Sequence, residues 1–251
     1  MDESAILAAR VVWGGFGLAL VLGFVAARSN FCTMGAISDV VNMEHWGRMR
    51  MWLLAIAVAM AGTNLLSYLD LVDLTKSVYQ RPVLPWLSLL LGGTLFGIGM
   101  TIAGGCANKN LLRFGGGSVR SLVVLVFLAI SAYMTLKGLF GQLRSSYLDP
   151  VVIDLSSMGM QSQSLADLLA RLADMPAKSA LLATAGVVVA GLLVFVFKDA
   201  RFRASPEQWI GGTIIGLLVT AGWYLTGHIG FAENPDTLEM TYFATNSRTI
   251  E

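Results

Sequence analysis

The chain has 251 residues, of which 55% are hydrophobic and only 13% charged, with a net charge of +1; its mean hydropathy is +0.68. A soluble domain carries roughly 25% charged residues, so these totals describe an integral membrane protein, and the near-zero charge excludes a basic surface for nucleic acid. Two cysteines and two histidines, none in a CxxC, an HExxH or a mixed cluster, point to no metal, no cofactor and no disulfide framework.

A membrane-crossing helix needs about 20 mostly apolar residues. Six stretches meet this: 6–27, 51–69, 86–103, 119–137, 179–197 and 208–226. The first follows MDESAILAAR, an acidic start unlike that of a cleaved leader, and reads as a retained helix. The third is rich in glycine and is expected either to cross or to re-enter. The expected fold is all-α: a polytopic transmembrane bundle in one membrane domain, 1–251, with glycine-broken or re-entrant segments.

Cations set orientation. Loop 28–50 carries Arg28, Arg48 and Arg50, loop 104–120 carries Lys109, Arg113 and Arg120, and loop 198–207 carries Lys198, Arg201 and Arg203. Alternating spans place these loops on one face, expected to be cytoplasmic. The insert 138–178 is then periplasmic. Inside it, Leu165, Leu168, Leu169, Leu172 and Met175 recur at helical spacing. Ser164 with Asp167 fits a capping box, and Pro176 ends the run.

The most informative stretch is GGTLFGIGMTIAGGCANKNLLRFGGG, from Gly92 to Gly117. It starts as a membrane-grade apolar segment and breaks at Gly104-Gly105-Cys106, followed by Asn108, Lys109 and Asn110. Irregular backbone at membrane depth survives only where protein or a water-filled path surrounds it. Gly104 and Gly105 permit close approach and unusual dihedrals, a helix beginning near Cys106 would aim N–H groups at an anion, and Asn108 could fix an anion or cap the chain. A thiol in apolar surroundings stays a neutral, weak donor suited to a large sulfur or selenium atom. Cys32, in Ser29-Asn30-Phe31-Cys32-Thr33-Met34-Gly35, echoes this arrangement where another basic loop begins. Paired broken segments of this kind build transporter sites.

The candidate substrate-binding residues are therefore Cys106, Cys32, Gly104, Gly105 and Asn108. Asp39 is expected to pair with Arg48 or Arg50. Gly93-x-x-x-Gly97 is a helix-contact motif and implies a closely packed neighbour. Gly97-Ile98-Gly99 lacks the third glycine and the βαβ setting of a dinucleotide site, and no lysine follows Gly104 as in a P-loop.

Three segments, FCTMGAISD around Cys32, the glycine-rich stretch around Cys106 and SLVVLVFLAISAYMTLKG after it, resemble the YeeE/YedE family of inner-membrane sulfur-transport proteins. GWYLTGHIGFAENPDTLE is most similar to the YedE branch. The resemblance implies an inverted-repeat helical fold whose short loops meet at its centre. It also implies uptake of thiosulfate by thiol-to-sulfur contacts, with Cys32 and Cys106 as two of the thiols. A cytoplasmic TusA-like sulfur-carrier protein is the implied partner, handling sulfur or selenium. A second half with another Gly-Cys segment, which the resemblance also implies, has no counterpart before Glu251; the sequence is then a truncated product, a natural half or a fragment, and only if that half is absent from the protein would a complete path need another chain.

The function expected is a multi-pass permease of the bacterial inner membrane, not an enzyme, carrying a small sulfur-containing anion. The rivals are a membrane thiol–disulfide oxidoreductase, which needs two cysteines that meet, and a scaffold that docks a sulfur carrier without transporting anything.

Overall fold

The computed structural model describes residues 3–74, 82–156, 160, 162–172, 176–233 and 240–242. Six of its helices are long and apolar enough to cross a membrane. They contain α1 (Glu3–Ser29), α3 (Gly47–Tyr68), α4 (Trp86–Ile102), α6 (Val119–Lys137), α9 (Ala177–Phe197) and α11 (Pro206–Tyr224). Each coincides with an expected span to within a few residues, because about 20 apolar residues in a row satisfy their backbone groups only as helix.

Shorter helices follow three of them. α2 (Thr33–Met43) follows α1, α5 (Ala107–Gly115) follows α4, and α10 (Ala200–Arg203) joins α9 to α11. The described part of the 138–178 insert holds α7 (Leu139–Leu143), a π turn (Arg144–Leu148) and α8 (Leu165–Leu172), which packs on α9. Two ribbons complete the architecture: β1 (Val83–Leu84) with β2 (Ile153–Asp154), and β3 (Phe231–Glu233) with β4 (Met240–Tyr242), both antiparallel.

The tightest packing joins α3 to α11. A Cβ on Gly212 would lie 2.7 Å from the Met51 carbonyl oxygen, and one on Gly216 would lie 2.7 Å from that of Ala55. Lipid tails are as apolar as leucine, so helices gain little from merely hiding apolar surface; close backbone approach over small residues supplies the contact instead. Beside this seam, Met51, Leu54, Val196 and Phe202 form a core of α3, α9 and α10 side chains. Arg28 pairs with Glu207, and Arg50 with Asp199, so the 198–207 loop sits at the same end of the bundle as the Cys32 turn.

Two expectations are corrected. Among the described residues Gly93 and Gly97 meet no helix: none of these lies within 4 Å of a Cβ built on either. α4 is exposed along nearly its whole length, tied mainly at its two ends, where Ser88 donates to Asp149 at 2.7 Å and the Cys106 turn meets the Cys32 turn. The capping box of α8 does not close either. Ser164 Oγ accepts from the Ala166 N–H at 3.1 Å, but Asp167 accepts from the Ser162 hydroxyl at 2.6 Å, and the Ser164 N–H donates to Ser162 Oγ. A preceding serine has displaced the acid from its reciprocal role. Met175 lies outside the described residues.

Candidate functional site: two cysteines at paired helix turns

The sequence echo around the cysteines is a structural repeat. At the end of α1, Asn30 adopts a left-handed conformation (φ 52°), and the Phe31 N–H reaches back to the Ala26 carbonyl at 3.1 Å. At the end of α4, Gly104 does the same (φ 67°), and the Gly105 N–H reaches the Met100 carbonyl at 3.1 Å. Both are Schellman-type stops, in which a left-handed residue lets the chain satisfy the last carbonyls of the helix. In each case the cysteine two residues later is the N-cap of the next short helix: Cys32 for α2 and Cys106 for α5. Both have extended ψ values, 125° and 168°, which turn the chain out of one helix and into the other.

The two caps face one another. Cys32 Sγ and Cys106 Sγ are 3.6 Å apart, within hydrogen-bond range for sulfur, and both residues are free and buried, at 4% and 6% exposure. Cys32 Sγ also accepts from the Gly35 N–H at 3.4 Å, so this sulfur satisfies one of the first-turn donors of its helix. Cys106 makes no such cap bond, and α5 begins without a side-chain cap. Helix starts concentrate unpaired N–H groups and positive potential, and here two of them converge on one pair of sulfurs.

The remaining expected residues fall into distinct roles. Gly105 is buried beside Cys106, and a Cβ there would sit 3.3 Å from the Lys109 side chain, so its small size lets α5 fold over the turn. Gly104 supplies the left-handed stop. Asn108 does not point at open space: its Nδ2 donates to the Phe31 carbonyl at 3.3 Å, tying the second turn to the first. Lys109 Nζ adds a second strap to Asn30 Oδ1 at 3.2 Å. Arg113 donates to the Gly104 carbonyl at 2.9 Å.

Asn110 was not among the expected site residues, yet it is the most buried polar group of this turn, at 2% exposure. Its Nδ2 donates to the Gly105 carbonyl at 3.1 Å and to the Cys106 carbonyl at 3.3 Å. The signal was its place one helical turn after Cys106, where a side-chain amide can reach back over the cap. Asp39 pairs with Arg48 through both carboxylate oxygens, one of the two partners expected for it. Phe31 stacks on Trp52, ring centroids 5.7 Å apart and nearly parallel, which fixes the first turn on α3.

Two expectations about the cysteines change in the folded chain. Their surroundings are less apolar than an isolated membrane thiol would have, since helix starts and the Arg48, Lys109 and Arg113 side chains gather round them. The two also meet, which their separation in sequence gave no reason to expect, so the requirement of the oxidoreductase reading for neighbouring sulfurs is fulfilled. Among the described residues no cluster of three or more His, Cys, Asp or Glu side chains could hold a metal.

A family model described as Sulphur transport matches residues 28–248. The chain is 31% identical over 125 residues to the thiosulfate transporter TsuA of Escherichia coli (strain K12), covering 49% of this chain and 34% of that protein. It is 28% identical over 130 residues to the thiosulfate transporter TsuA of Spirochaeta thermophila, covering 52% of this chain and 38% of that one. The matched stretch thus spans little more than a third of either relative.

Proposed function

Because the chain belongs to the Sulphur transport family, and as a multi-pass membrane protein carries two facing thiols at helix starts, we propose that it conducts a small sulfur-containing anion, thiosulfate first among them, across the bacterial inner membrane. The observation that carries this reading is the Cys32–Cys106 approach at 3.6 Å, set among N–H donors and cations. A thiosulfate ion presents a soft terminal sulfur and a charged sulfonate end. A thiolate would repel the ion, so the protonated thiols receive it and donate to the first, while the α5 start, Lys109 and Arg113 favour the second.

The sulfurs are too close to hold an ion between them, so the arrangement is a closed one. Passage requires the two turns to part. The bonds that must lengthen are Cys32–Cys106, Asn108 to Phe31 and Lys109 to Asn30, all between the α1–α2 turn and the α4–α5 turn. The exposed α4 leaves that second turn held by few other contacts, which makes it the mobile partner. The three basic loops face the cytoplasm in this scheme, and the ion leaves toward a carrier protein of the TusA-like kind. In this scheme the two cysteine turns belong to a pathway of the inverted-repeat kind. Gly104, Gly105 and Asn108 shape the site without touching the transported sulfur.

The test is thiosulfate uptake in cells lacking other importers. Uptake with the wild-type chain, lost in Cys106→Ala and Cys32→Ala, is the expected result; undiminished uptake in both variants would refute the thiol relay. One second reading draws on a specific observation: two free sulfurs at 3.6 Å could exchange a disulfide. Mass spectrometry of the purified chain decides it, since an oxidoreductase would cycle between dithiol and Cys32–Cys106 disulfide during turnover and a permease would remain a dithiol.

A further inference from the structure

We infer that Arg48, held by Asp39 and admitted by the absence of a side chain at Gly35, is the charge-selecting residue of the thiol site, favouring dianions over monoanions. The inference rests on the anion-site reading above and adds a specificity-determining residue to it.

Three observations place the guanidinium there. Asp39 is buried at 6% exposure and accepts from Nε and Nη2 of Arg48, one oxygen each, so the fork geometry fixes the plane of the group. The third nitrogen, Nη1, lies over Gly35: a Cβ built there would be 2.5 Å from Nη1 and 3.5 Å from Cys32 Cβ. The guanidinium and the Cys32 side chain therefore both border the space above Gly35, where a methyl group would overlap Nη1 and touch Cys32 Cβ. Finally, the Gly35 N–H donates to Cys32 Sγ, so the residue that makes room for the cation also anchors the sulfur.

The carboxylate sits on the far edge of the guanidinium, and the cationic edge faces the space above Gly35. An ion at the thiols feels the nearer positive charge more strongly than the more distant negative one. Coulomb energy is proportional to the charge of the ion. Removing the cation should therefore weaken dianion binding by the square of the factor by which it weakens monoanion binding. A loss of about tenfold for a dianion corresponds to about threefold for a monoanion. An ion pair that only held α2 against α3 would impose no such relation.

The experiment is calorimetric titration of the full, detergent-purified chain with thiosulfate as dianion and thiocyanate as monoanion. Arg48→Gln should weaken thiosulfate binding about tenfold or more and thiocyanate binding by about the square root of that factor. Arg48→Lys should recover part of the loss. Gly35→Ala, which leaves every charge in place but forces Nη1 out of that space, should reproduce the direction of Arg48→Gln. Asp39→Asn removes the opposing charge, keeps an acceptor for the guanidinium and should tighten thiosulfate binding. Wild-type affinity in Arg48→Gln overturns the inference, and so does an equal loss in Arg48→Gln and Asp39→Asn, which marks a purely structural pair. If the wild-type chain binds neither ion, the anion-site reading itself fails, an outcome separable from the other two.

Discussion

Replacing Asn110 offers a demanding test of how the second cysteine is held. The amide is buried and donates to the Gly105 and Cys106 carbonyls. The Cys106 carbonyl keeps a second donor, the Asn110 backbone N–H at 3.0 Å, when the side chain is removed. Asn110→Ala therefore strips the Gly105 carbonyl of its side-chain donor, and a buried polar group left unpaired costs about 1–3 kcal/mol. Asn110→Asp should cost more, because a carboxylate of the same shape turns an acceptor toward two carbonyl oxygens with no proton between them. The order of stability is wild type, then Ala, then Asp, measured by thermal unfolding in detergent. Maleimide labelling of Cys106 should rise in the same order as its turn loosens. An Asp variant as stable and as slowly labelled as the wild type would show that the amide does not hold the turn.

Other substitutions test neighbouring parts of the architecture. Gly104→Ala meets no steric neighbour among the described residues but must keep φ at 67°, so it should lose about 1–2 kcal/mol by backbone strain alone, whereas Asn30→Gly, at the matching turn, relieves strain and gives up only the exposed bond from Lys109, so it should lose less; a loss as large as that of Gly104→Ala in unfolding assays would contradict the left-handed stops. Gly216→Ala would press a methyl group against the Ala55 carbonyl and the Val58 side chain at 2.7 Å, and overpacking of this kind costs about 1–3 kcal/mol; an unchanged melting temperature would refute the α3–α11 seam. Diamide, a thiol oxidant, should convert Cys32 and Cys106 to one intramolecular disulfide, detected as a two-proton mass loss. That requires the sulfurs to close from 3.6 Å to the bonding distance of about 2.05 Å, and no cross-link under conditions that oxidise free thiols would contradict their juxtaposition.

The spans were legible because hydrophobic length is a nearly sufficient cause of a membrane helix: 119–137 coincides with α6 residue for residue. The breaks were legible only in part. Gly104-Gly105 announced the stop after α4, but Asn30 performs the same left-handed turn, and asparagine is a weaker signal because its polar side chain tolerates that region for local reasons. The short helix α2 was hidden within the basic 28–50 loop, whereas a helix start near Cys106 was legible and the end of α5 at Gly115 was not. What joins the two units was not legible at all. The bonds from Asn108 to Phe31 and from Lys109 to Asn30 link residues more than 70 positions apart, and no periodicity encodes such pairs. Gly93-x-x-x-Gly97 failed in the opposite sense, because the motif states a capacity for close packing and cannot say whether a neighbour exists within the same chain.

The central claim is that intact thiols, donating hydrogen bonds, receive the sulfur of the transported ion. Infrared spectroscopy of the S–H stretch reads this directly in the purified full chain. Adding thiosulfate should move the S–H bands of Cys32 and Cys106 to lower frequency while both remain present, with each band absent from the corresponding Cys→Ala variant. Bands that do not move, or that vanish as a sulfur adduct or a disulfide appears in the mass spectrum, would contradict it.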